Sequence, residues 1–258
     1  ELNRLDEAEP HLVAARDAYV RTAGADDTDT LSAIQDLALV ERRRGNVERA
    51  IALERDVLER RTRVLGPRHD ETLNAKNELA SLLQDAKRWP EAEVLFREVL
   101  AIREQTLGDR HERTRNSLNN LGLVLSLQGK LDEAEPLYRR ALAVEQELLG
   151  ADHLDVLILM HNLGGLERKR GRVGNALALH RDVVARAERT LAPDRPEIAL
   201  FRVGLAQDLQ ADGDFAAARR EFDRAREQMI AALGAGHPRV AKVDEMRAAL
   251  AAAEREAR

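Results

Sequence analysis

Apolar residues recur along the chain in two helical blocks that are separated by a glycine. In residues 107–148, Leu118, Leu121 and Leu125 are three or four positions apart, and Gly129 then interrupts the pattern. The same spacing resumes at Leu131, Ala134, Leu137, Tyr138, Ala141 and Leu142. Apolar positions at intervals of three and four lie on one face of an α-helix, so this segment predicts two amphipathic helices joined by a short turn.

This two-helix pattern repeats every 42 residues. The dipeptide Leu-Gly begins at residues 65, 107, 149 and 233, and Leu-Ala takes its place at residue 191. Three further columns keep the spacing: leucine at 37, 79, 121, 163 and 205, alanine at 50, 92, 134, 176 and 218, and a small residue at 38, 80, 122, 164 and 206. A fixed period of this length is typical of stacked supersecondary units that share one continuous core.

The phase divides the chain into one partial repeat at 1–22, five full repeats at 23–64, 65–106, 107–148, 149–190 and 191–232, and a C-terminal capping helix at 233–258. We therefore predict a single domain of the all-α class, a right-handed superhelical α-solenoid of stacked antiparallel helix pairs. The first segment repeats the middle of a unit, and the sequence starts at Glu1 without an initiator Met. We expect it to be a fragment of a longer protein.

Glycine and proline mark the turns inside the repeats. Glycine stands at 45, 129, 171 and 213, where the first helix of a pair must end in a left-handed backbone conformation, which a residue without a side chain adopts at little cost. Lys87 replaces it in the second repeat, so we expect a modified turn there. Pro90 follows as a first-turn residue of the next helix.

Composition narrows the classes of function. Aromatic residues make up 3% and charged residues 34% of the 258 residues, which favours a thin, extended core over a compact one. The absence of cysteine excludes disulfides and thiolate sites and agrees with a cytoplasmic location. The net charge of -5 gives no basic field for nucleic acid, and no apolar run approaches the ~20 residues of a membrane span, so we expect neither partner.

These motifs resemble the tetratricopeptide repeat, a helix-turn-helix unit usually of about 34 residues. The resemblance rests on Leu118, Leu121-Gly122 and Leu125 in the first helix and on Ala134, Tyr138 and Ala141 in the second. The 42-residue length, with Asn119-Asn120-Leu121-Gly122 and Leu149-Gly150-Ala151-Asp152-His153, is similar to the kinesin-light-chain type. It covers almost the whole chain and implies a protein that binds other proteins. The alanine- and arginine-rich composition indicates a bacterial origin.

In proteins of this kind the first helices line the inner surface, so the resemblance implies where a partner binds. We predict a peptide-binding or partner-binding set of polar side chains: Asn74, Asn77, Ser81, Gln84, Asn116, Asn119, Asn120, Ser126, His161, Asn162 and Arg168. An asparagine side chain both donates and accepts hydrogen bonds, so a row of them can bind the backbone of an extended peptide. The alternative is that these asparagines bond neighbouring helices and fix the geometry of the repeat.

Two other patterns have structural explanations as well as functional ones. Histidines share one phase at 69, 111, 153 and 237, with Arg195 in the remaining position. Because packed helices are about 8–10 Å apart and zinc needs nitrogens at about 2.0–2.1 Å, such histidines cannot share a metal, and we expect them to stabilise the entry into the first helices. The basic runs at 42–44 and 168–170 either attract an acidic partner or complement the helix dipole. For His161 we expect a packing or hydrogen-bonding role.

The sequence contains no enzyme motif. It has no phosphate-binding loop, no His-Glu-x-x-His and no Gly-x-Ser-x-Gly, and pairs such as Glu133 with Glu135 fall on exposed turns or helix starts. We therefore expect a non-enzymatic chain without cofactor or metal, which binds a peptide or helical segment of a partner protein in the concave groove of its three central repeats. Two alternatives stay open: a regulatory or scaffolding arm that contacts other domains of its parent chain or oligomerises, and a segment that is itself catalytic.

Overall fold

The computed structural model describes the backbone of residues 2–256 and the side chains of residues 8–256. Over these residues the regular secondary structure is α-helical, with twelve α-helices and no strand. The fold class is the predicted one, an all-α solenoid of stacked helix pairs. Glu1, Ala257 and Arg258, which belong to the first and last predicted segments, lie outside the described residues.

Contacts between backbone positions divide the chain into two compact units, residues 1–130 and 131–258. In the first unit each helix packs on the next one along the chain. Its helices are α1 (Leu2–Thr22), α2 (Thr28–Arg43), α3 (Val47–Leu65), α4 (Asp70–Asp85), α5 (Trp89–Leu107) and α6 (Glu112–Leu127).

The second unit is built in the same way, and its helices α8 and α10 also contact each other directly. Its helices are α7 (Leu131–Leu149), α8 (Leu154–Lys169), α9 (Val173–Thr190), α10 (Pro196–Ala211), α11 (Phe215–Leu233) and α12 (Pro238–Glu256). We call α2, α4, α6, α8, α10 and α12 the first helices, because each begins 42 residues after the one before it. The other six are the second helices.

The core of each unit consists of the repeated columns. The alanines of the second helices at 50, 92, 134, 176 and 218 have no exposed surface, and the leucines of the first helices at 37, 79, 121, 163 and 205 are all less than 8% exposed. Since an alanine keeps the backbones of neighbouring helices close while a leucine fills the space beside it, the same pair of residues can pack every repeat.

The entries of the first helices use the histidine column as predicted. His69, His111, His153 and His237 each accept a hydrogen bond at Nδ1 from the backbone N–H two residues later, at 3.1–3.3 Å. A side-chain acceptor at this position satisfies one of the four backbone donors that every helix leaves free at its start. Arg195, in the remaining position, makes no such bond.

The turns between paired helices correct one expectation. Gly45, Gly129, Gly171 and Gly213 have φ of 74–87° as predicted, but the turn at Lys87 is not modified, because Lys87 adopts the same left-handed conformation at φ 59°. The backbone N–H of Lys87 bonds the carbonyl of Gln84, just as that of Gly45 bonds Arg42, at 3.0 Å in both turns. Helix packing therefore fixes the turn, and the lysine adopts a backbone conformation that L-residues normally avoid.

We expect Lys87→Gly to raise the free energy of unfolding by about 0.5–1 kcal/mol, since it removes the steric cost of a left-handed residue. The reciprocal change Gly129→Lys should lower it by about 1 kcal/mol. Lys87→Ala is the matched control, because it removes the charge and keeps the Cβ atom. Urea unfolding followed by circular dichroism measures all three, and equal stabilisation by alanine and glycine would contradict the explanation.

Candidate functional site

The exposed stripe of each first helix is the candidate site, because the second helices cover the opposite side. In the first unit this stripe includes Asp36 and Leu39 on α2, Glu78 on α4 and Asn116 on α6, all of which are exposed. Leu39 has 44% of its surface accessible and is one of several exposed large apolar side chains among residues 8–256. The stripe is thus a mixed surface of carboxylates, amides and a few apolar side chains.

The predicted asparagine row exists in the first unit and connects two first helices. The Nδ2 atom of Asn120 on α6 donates a hydrogen bond to Oδ1 of Asn77 on α4 at 3.1 Å. Ser81 donates to the carbonyl of Asn77 at 3.0 Å, within its own helix. These bonds use part of the hydrogen-bonding capacity of the row inside the fold, as the structural alternative for the asparagines requires.

Asn74 has a distinct task, because it accepts a bond from a buried arginine. Arg103 of α5 is only 4% exposed, and its guanidinium donates to Oδ1 of Asn74 at 3.0 Å, to Oγ of Ser117 at 2.9 Å and to the carbonyl of Arg113 at 3.2 Å. Burial lowers the pKa of Arg103, and the positive charge of Arg113 adds to this effect. Neutral acceptors therefore solvate this buried cation.

The remaining predicted residues differ in how accessible they are. In the first unit Asn116 is exposed, Gln84 and Asn119 are half-buried, and Ser126 is 7% exposed. In the second unit His161, Asn162 and Arg168 on α8 are half-buried. Asn116 is therefore the predicted residue that a partner can reach most directly.

A pocket of about 300 Å³ opens on the first unit between α2 and α4, with α3 behind it. Its lining combines four charged side chains, one amide and three apolar side chains. The charged residues are Asp36, Arg42, Glu54 and Glu78, the amide is Gln35, and the apolar residues are Ala38, Leu39 and Leu82. Arg42 is turned towards Asp85, with 2.7 Å between guanidinium and carboxylate. The carboxylates of the pocket therefore outnumber its cation.

Glu54 of α3 is the buried carboxyl group of this pocket. It is 2% exposed, and Nε2 of Gln35 donates to its Oε1 atom at 2.7 Å. Burial raises the pKa of Glu54 to about 7; the bond from Gln35 opposes this shift and the nearby charge of Glu78 adds to it. A carboxyl group with this pKa is divided between its neutral and ionised forms near neutral pH.

The second unit contains a buried polar network below its first helices. Arg168 of α8 lies 2.6 Å from Oδ1 of Asp208 on α10, and Oδ2 of Asp208 lies 2.5 Å from Nδ1 of His180 on α9. The other ring nitrogen of His180 is 3.0 Å from Nδ1 of His161. His180 and Asp208 have no exposed surface, so this network joins three helices inside the unit.

His161 ends the network, and its surroundings keep it neutral. Its ring packs edge-on against His180 at 4.9 Å between centroids and against Phe201 at 5.5 Å. Burial of the ring, with the neighbouring His180 and Arg168, lowers the pKa of His161 to about 3, although part of the residue reaches the surface. The packing and hydrogen-bonding role expected for His161 is the one observed.

Two glycines make room for His180. A Cβ atom on Gly164 would lie 2.6 Å from a ring atom of His180, and one on Gly204 would lie 2.5 Å from another. Non-bonded heavy atoms do not approach so closely, so a larger residue at either position would displace the imidazole ring. His180 therefore requires glycine at both positions in this packing. Sequence reasoning placed Gly164 in a column of small residues but gave no reason for Gly204.

Sequence reasoning missed Glu54, His180 and Asp208, although the repeat carried a signal for all three. Glu54 and His180 occupy the column that holds Phe96, Tyr138 and Phe222 in the other repeats. Asp208 occupies the column of Val40, Leu82, Val124 and Leu166. An ionisable residue in an otherwise apolar column predicts a buried polar group that needs a partner.

The basic runs at the ends of the first helices are largely engaged inside the protein. Arg42 pairs with Asp85, Arg168 with Asp208, and Arg170 with Asp132 and Glu135. These pairs link neighbouring repeats within a unit. These ion pairs within the fold are neither of the two explanations, the helix dipole and the acidic partner, and they leave less of the basic runs available to a partner.

Neither a metal centre nor a membrane segment is found in the part of the chain that the structure describes. The side chains of residues 8–256 include no group of three or more His, Asp or Glu placed to hold a metal ion. None of their helices combines the length and the apolar character needed to cross a bilayer.

Comparison with protein families identifies the repeats. The tetratricopeptide repeat model matches residues 1–63, 37–105, 71–147 and 116–189. These matches cover more than half of the sequence, and the chain belongs to the tetratricopeptide repeat family. A search of curated proteins gave no significant match.

Solved structures with this fold include proteins of the kinesin-light-chain type. The nearly identical TPR-like repeats of a candidate kinesin light chain from Podospora anserina share 26% identity over 78% of this chain and 94% of that chain, with a TM-score of 0.65. BtubC (BKLC) from P. vanneervenii shares 24% identity over 92% of this chain and 94% of its own, with a TM-score of 0.67.

A third similar structure is that of a protein outside the kinesin-light-chain type. Aspartyl phosphate phosphatase F from Bacillus subtilis is 18% identical, covers 98% of this chain and 64% of its own, and gives a TM-score of 0.69. At this identity the likeness shows the fold alone.

Repeats of this family are typically non-enzymatic scaffolds that bind other proteins, and this chain is a protein-interaction module.

The buried network of the second unit gives a stability prediction. We expect His180→Phe to lower the free energy of unfolding by about 3–5 kcal/mol, because it restores the aromatic column but leaves the Asp208 carboxylate buried beside one partner fewer. The double variant His180→Phe, Asp208→Leu should lose less free energy of unfolding than His180→Phe alone, since both positions are then apolar like the equivalent positions of the other repeats. Urea unfolding of the two single variants and the double variant tests this, and strictly additive losses would contradict it.

Proposed function

We propose that the chain binds a segment of a partner protein on the exposed stripes of its first helices. The observation that carries the proposal is the mixed stripe of the first unit, where Asp36, Leu39, Glu78 and Asn116 stay accessible beside a tightly packed core. Such a stripe offers hydrogen-bonding groups for a peptide backbone and apolar contacts for side chains. The family supports a role in protein binding.

The predicted site residues divide into two tasks in this proposal. Asn74, Asn77 and Asn120 bond other parts of the first unit, and Arg168 and His161 belong to the buried network of the second. They hold the first helices in place and so shape the binding surface. Asn116 and the exposed carboxylates contact the partner.

We propose that the chain performs no catalysis of its own. The pair of His180 and Asp208 has the residue types of a general base and its orienting carboxylate, but neither side chain has any exposed surface. A general base must come within hydrogen-bonding reach of a substrate proton, which this burial prevents. Cofactors and metals therefore have no part in the proposed function.

We further propose that the partner is a protein and that binding takes place in the cytoplasm. The net charge of -5 argues against a nucleic-acid partner, and the sequence has no cysteine to oxidise. Other domains of the parent protein are among the partners that the proposal admits.

Site-specific photo-crosslinking tests the proposal. A photoreactive amino acid at position 116, on the exposed stripe of α6, should crosslink a partner protein in an extract of the cells that produce the chain. The matched control carries the same group at position 94 of α5, where the valine is 56% exposed on a second helix. Mass spectrometry of the crosslinks is the measurement. Equal crosslinking at both positions, or none at 116, would contradict binding at the first helices.

A further inference from the structure

We propose that the pocket between α2 and α4 binds a lysine or arginine side chain of the partner segment, with Glu54 as its counter-ion. This inference rests on the proposed function for the source of the basic side chain. It goes beyond that function because it names the chemistry that this repeat selects. The partner segment is therefore basic at the position that meets the first full repeat.

The first argument is the place of Glu54 in the repeat. Phe96, Tyr138 and Phe222 fill the equivalent positions with aromatic rings that are 0–1% exposed. A carboxyl group there loses the packing of a ring and is costly to bury when it is charged. Glu54 thus places a polar group at the base of the pocket, where an aromatic ring would make an apolar contact. A bound cation gives this exchange a function.

The second argument is an unused acceptor. Glu54 is 2% exposed, and Gln35 bonds its Oε1 atom at 2.7 Å. Its other oxygen has no hydrogen-bond partner among residues 8–256, and it is not one of the atoms there that are closed off from solvent, so a ligand can reach it. An ionised carboxylate can accept about four hydrogen bonds through its two oxygens, and each bond to the charged form favours that form. An ammonium or guanidinium group in the pocket would supply both the missing donor and the opposite charge.

The third argument is the balance of charge and shape. Asp36 of α2 and Glu78 of α4 flank the opening, while the one cation of the lining, Arg42, is held by Asp85 at 2.7 Å. Ala38, Leu39 and Leu82 provide apolar walls. Lysine and arginine have a methylene stem that packs on apolar walls and a charged end that needs carboxylates. The pocket offers both features in a volume of about 300 Å³.

The same carboxylates do not form a metal site. Among the side chains of residues 8–256, no three acidic or histidine groups are arranged to hold a metal ion. An organic cation needs no such convergence, because its several N–H donors reach acceptors on different sides of the group.

Peptide binding tests the inference. The probes are acetyl-Gly-Gly-Arg-Gly-Gly-amide and the same peptide with citrulline, a neutral group of nearly the same shape as arginine. Titration of the whole chain, followed by NMR of the labelled glutamate side-chain carboxyl groups, should show the Glu54 signal shifting with the arginine peptide. The citrulline peptide should bind at least about tenfold more weakly, because it cannot form the charge-assisted bond. Equal affinity of the two peptides would overturn the inference.

Matched variants locate the binding. Glu54→Gln should weaken binding of the arginine peptide about tenfold or more, and Glu78→Gln about threefold. Glu59→Gln is the control, since Glu59 is exposed on the same helix α3, lies outside the pocket and changes the net charge by the same amount. Circular dichroism confirms that each variant is folded. If Glu54→Gln fails to fold, the affinities of Glu78→Gln and Glu59→Gln for the arginine peptide are compared instead. Equal affinities of these two variants would refute the inference.

The pH dependence is a second readout that a merely structural glutamate would not show. The charged groups around Glu54 are Asp36 and Arg42 from α2, Arg61 from α3 and Glu78 from α4. Because Glu54 is largely neutral below pH 7, arginine must displace its proton there, so affinity should rise several-fold between pH 6 and 8. The rise should be absent in Glu54→Gln, and a pH-independent affinity of the unsubstituted chain would contradict the role of Glu54.

The peptide experiment and the crosslinking experiment fail separately. The peptide needs no natural partner, so loss of discrimination between arginine and citrulline refutes the pocket assignment and leaves binding at the first helices intact. A pocket that selects arginine while position 116 gives no crosslink supports a cation site and refutes the proposed function.

Discussion

Close contact between helices through the repeated alanines is the constraint on which the rest of the structure depends. Each of these alanines is completely buried, and a side chain only one or two carbons larger would force the neighbouring helices apart. The leucine of the same repeat then fills a space of fixed size. Because this geometry recurs every 42 residues, the caps and turns at the ends of the helices recur with it.

The consequences of the constraint are clearest where a residue does not suit its position. Lys87 adopts a left-handed conformation because the packing of α4 and α5 leaves the turn no alternative. His180 takes the place of an aromatic ring, and the helices around it accommodate the imidazole through Gly164 and Gly204 without a change of fold. The core thus dictates the backbone, and individual repeats differ in which polar groups they bury.

The same division explains how function is distributed. Positions that touch the core are repeated, and positions on the exposed stripes of the first helices vary from repeat to repeat. Glu54 lies between these two groups, since it occupies a core column but lines an open pocket. A single substitution in a column therefore converts a generic packing position into one that selects a partner by charge.

Most of the fold could be predicted from the sequence, because periodicity reports packing directly. The 42-residue phase predicted the helix pairs, the glycine turns and the histidine caps, and the structure confirms each of these. The turn at Lys87 was predicted wrongly, since local preference gives no measure of how strongly the surrounding helices impose a conformation.

The candidate site was less predictable for a physical reason. Whether an asparagine faces a partner or a neighbouring helix depends on side-chain positions that periodicity does not encode. Asn120, which bonds Asn77, and Asn116, which is exposed, look equivalent in the sequence. The buried pairs of Glu54 with Gln35 and His180 with Asp208 join residues 19 and 28 positions apart, so the repeat columns mark the buried ionisable groups but not which residues they bond.

The most direct test of the account is whether the leucines at equivalent positions of different repeats contribute similarly to the free energy of unfolding. Leu79→Ala, Leu121→Ala and Leu163→Ala, made one at a time, remove side chains that are 2–4% exposed, whereas the control Leu148→Ala removes one that is 39% exposed. Measured by urea unfolding, each column variant should lose about 2–5 kcal/mol and the control less than about 1 kcal/mol. A column variant that is as well tolerated as the control would contradict the claim that the repeated columns hold the helices together.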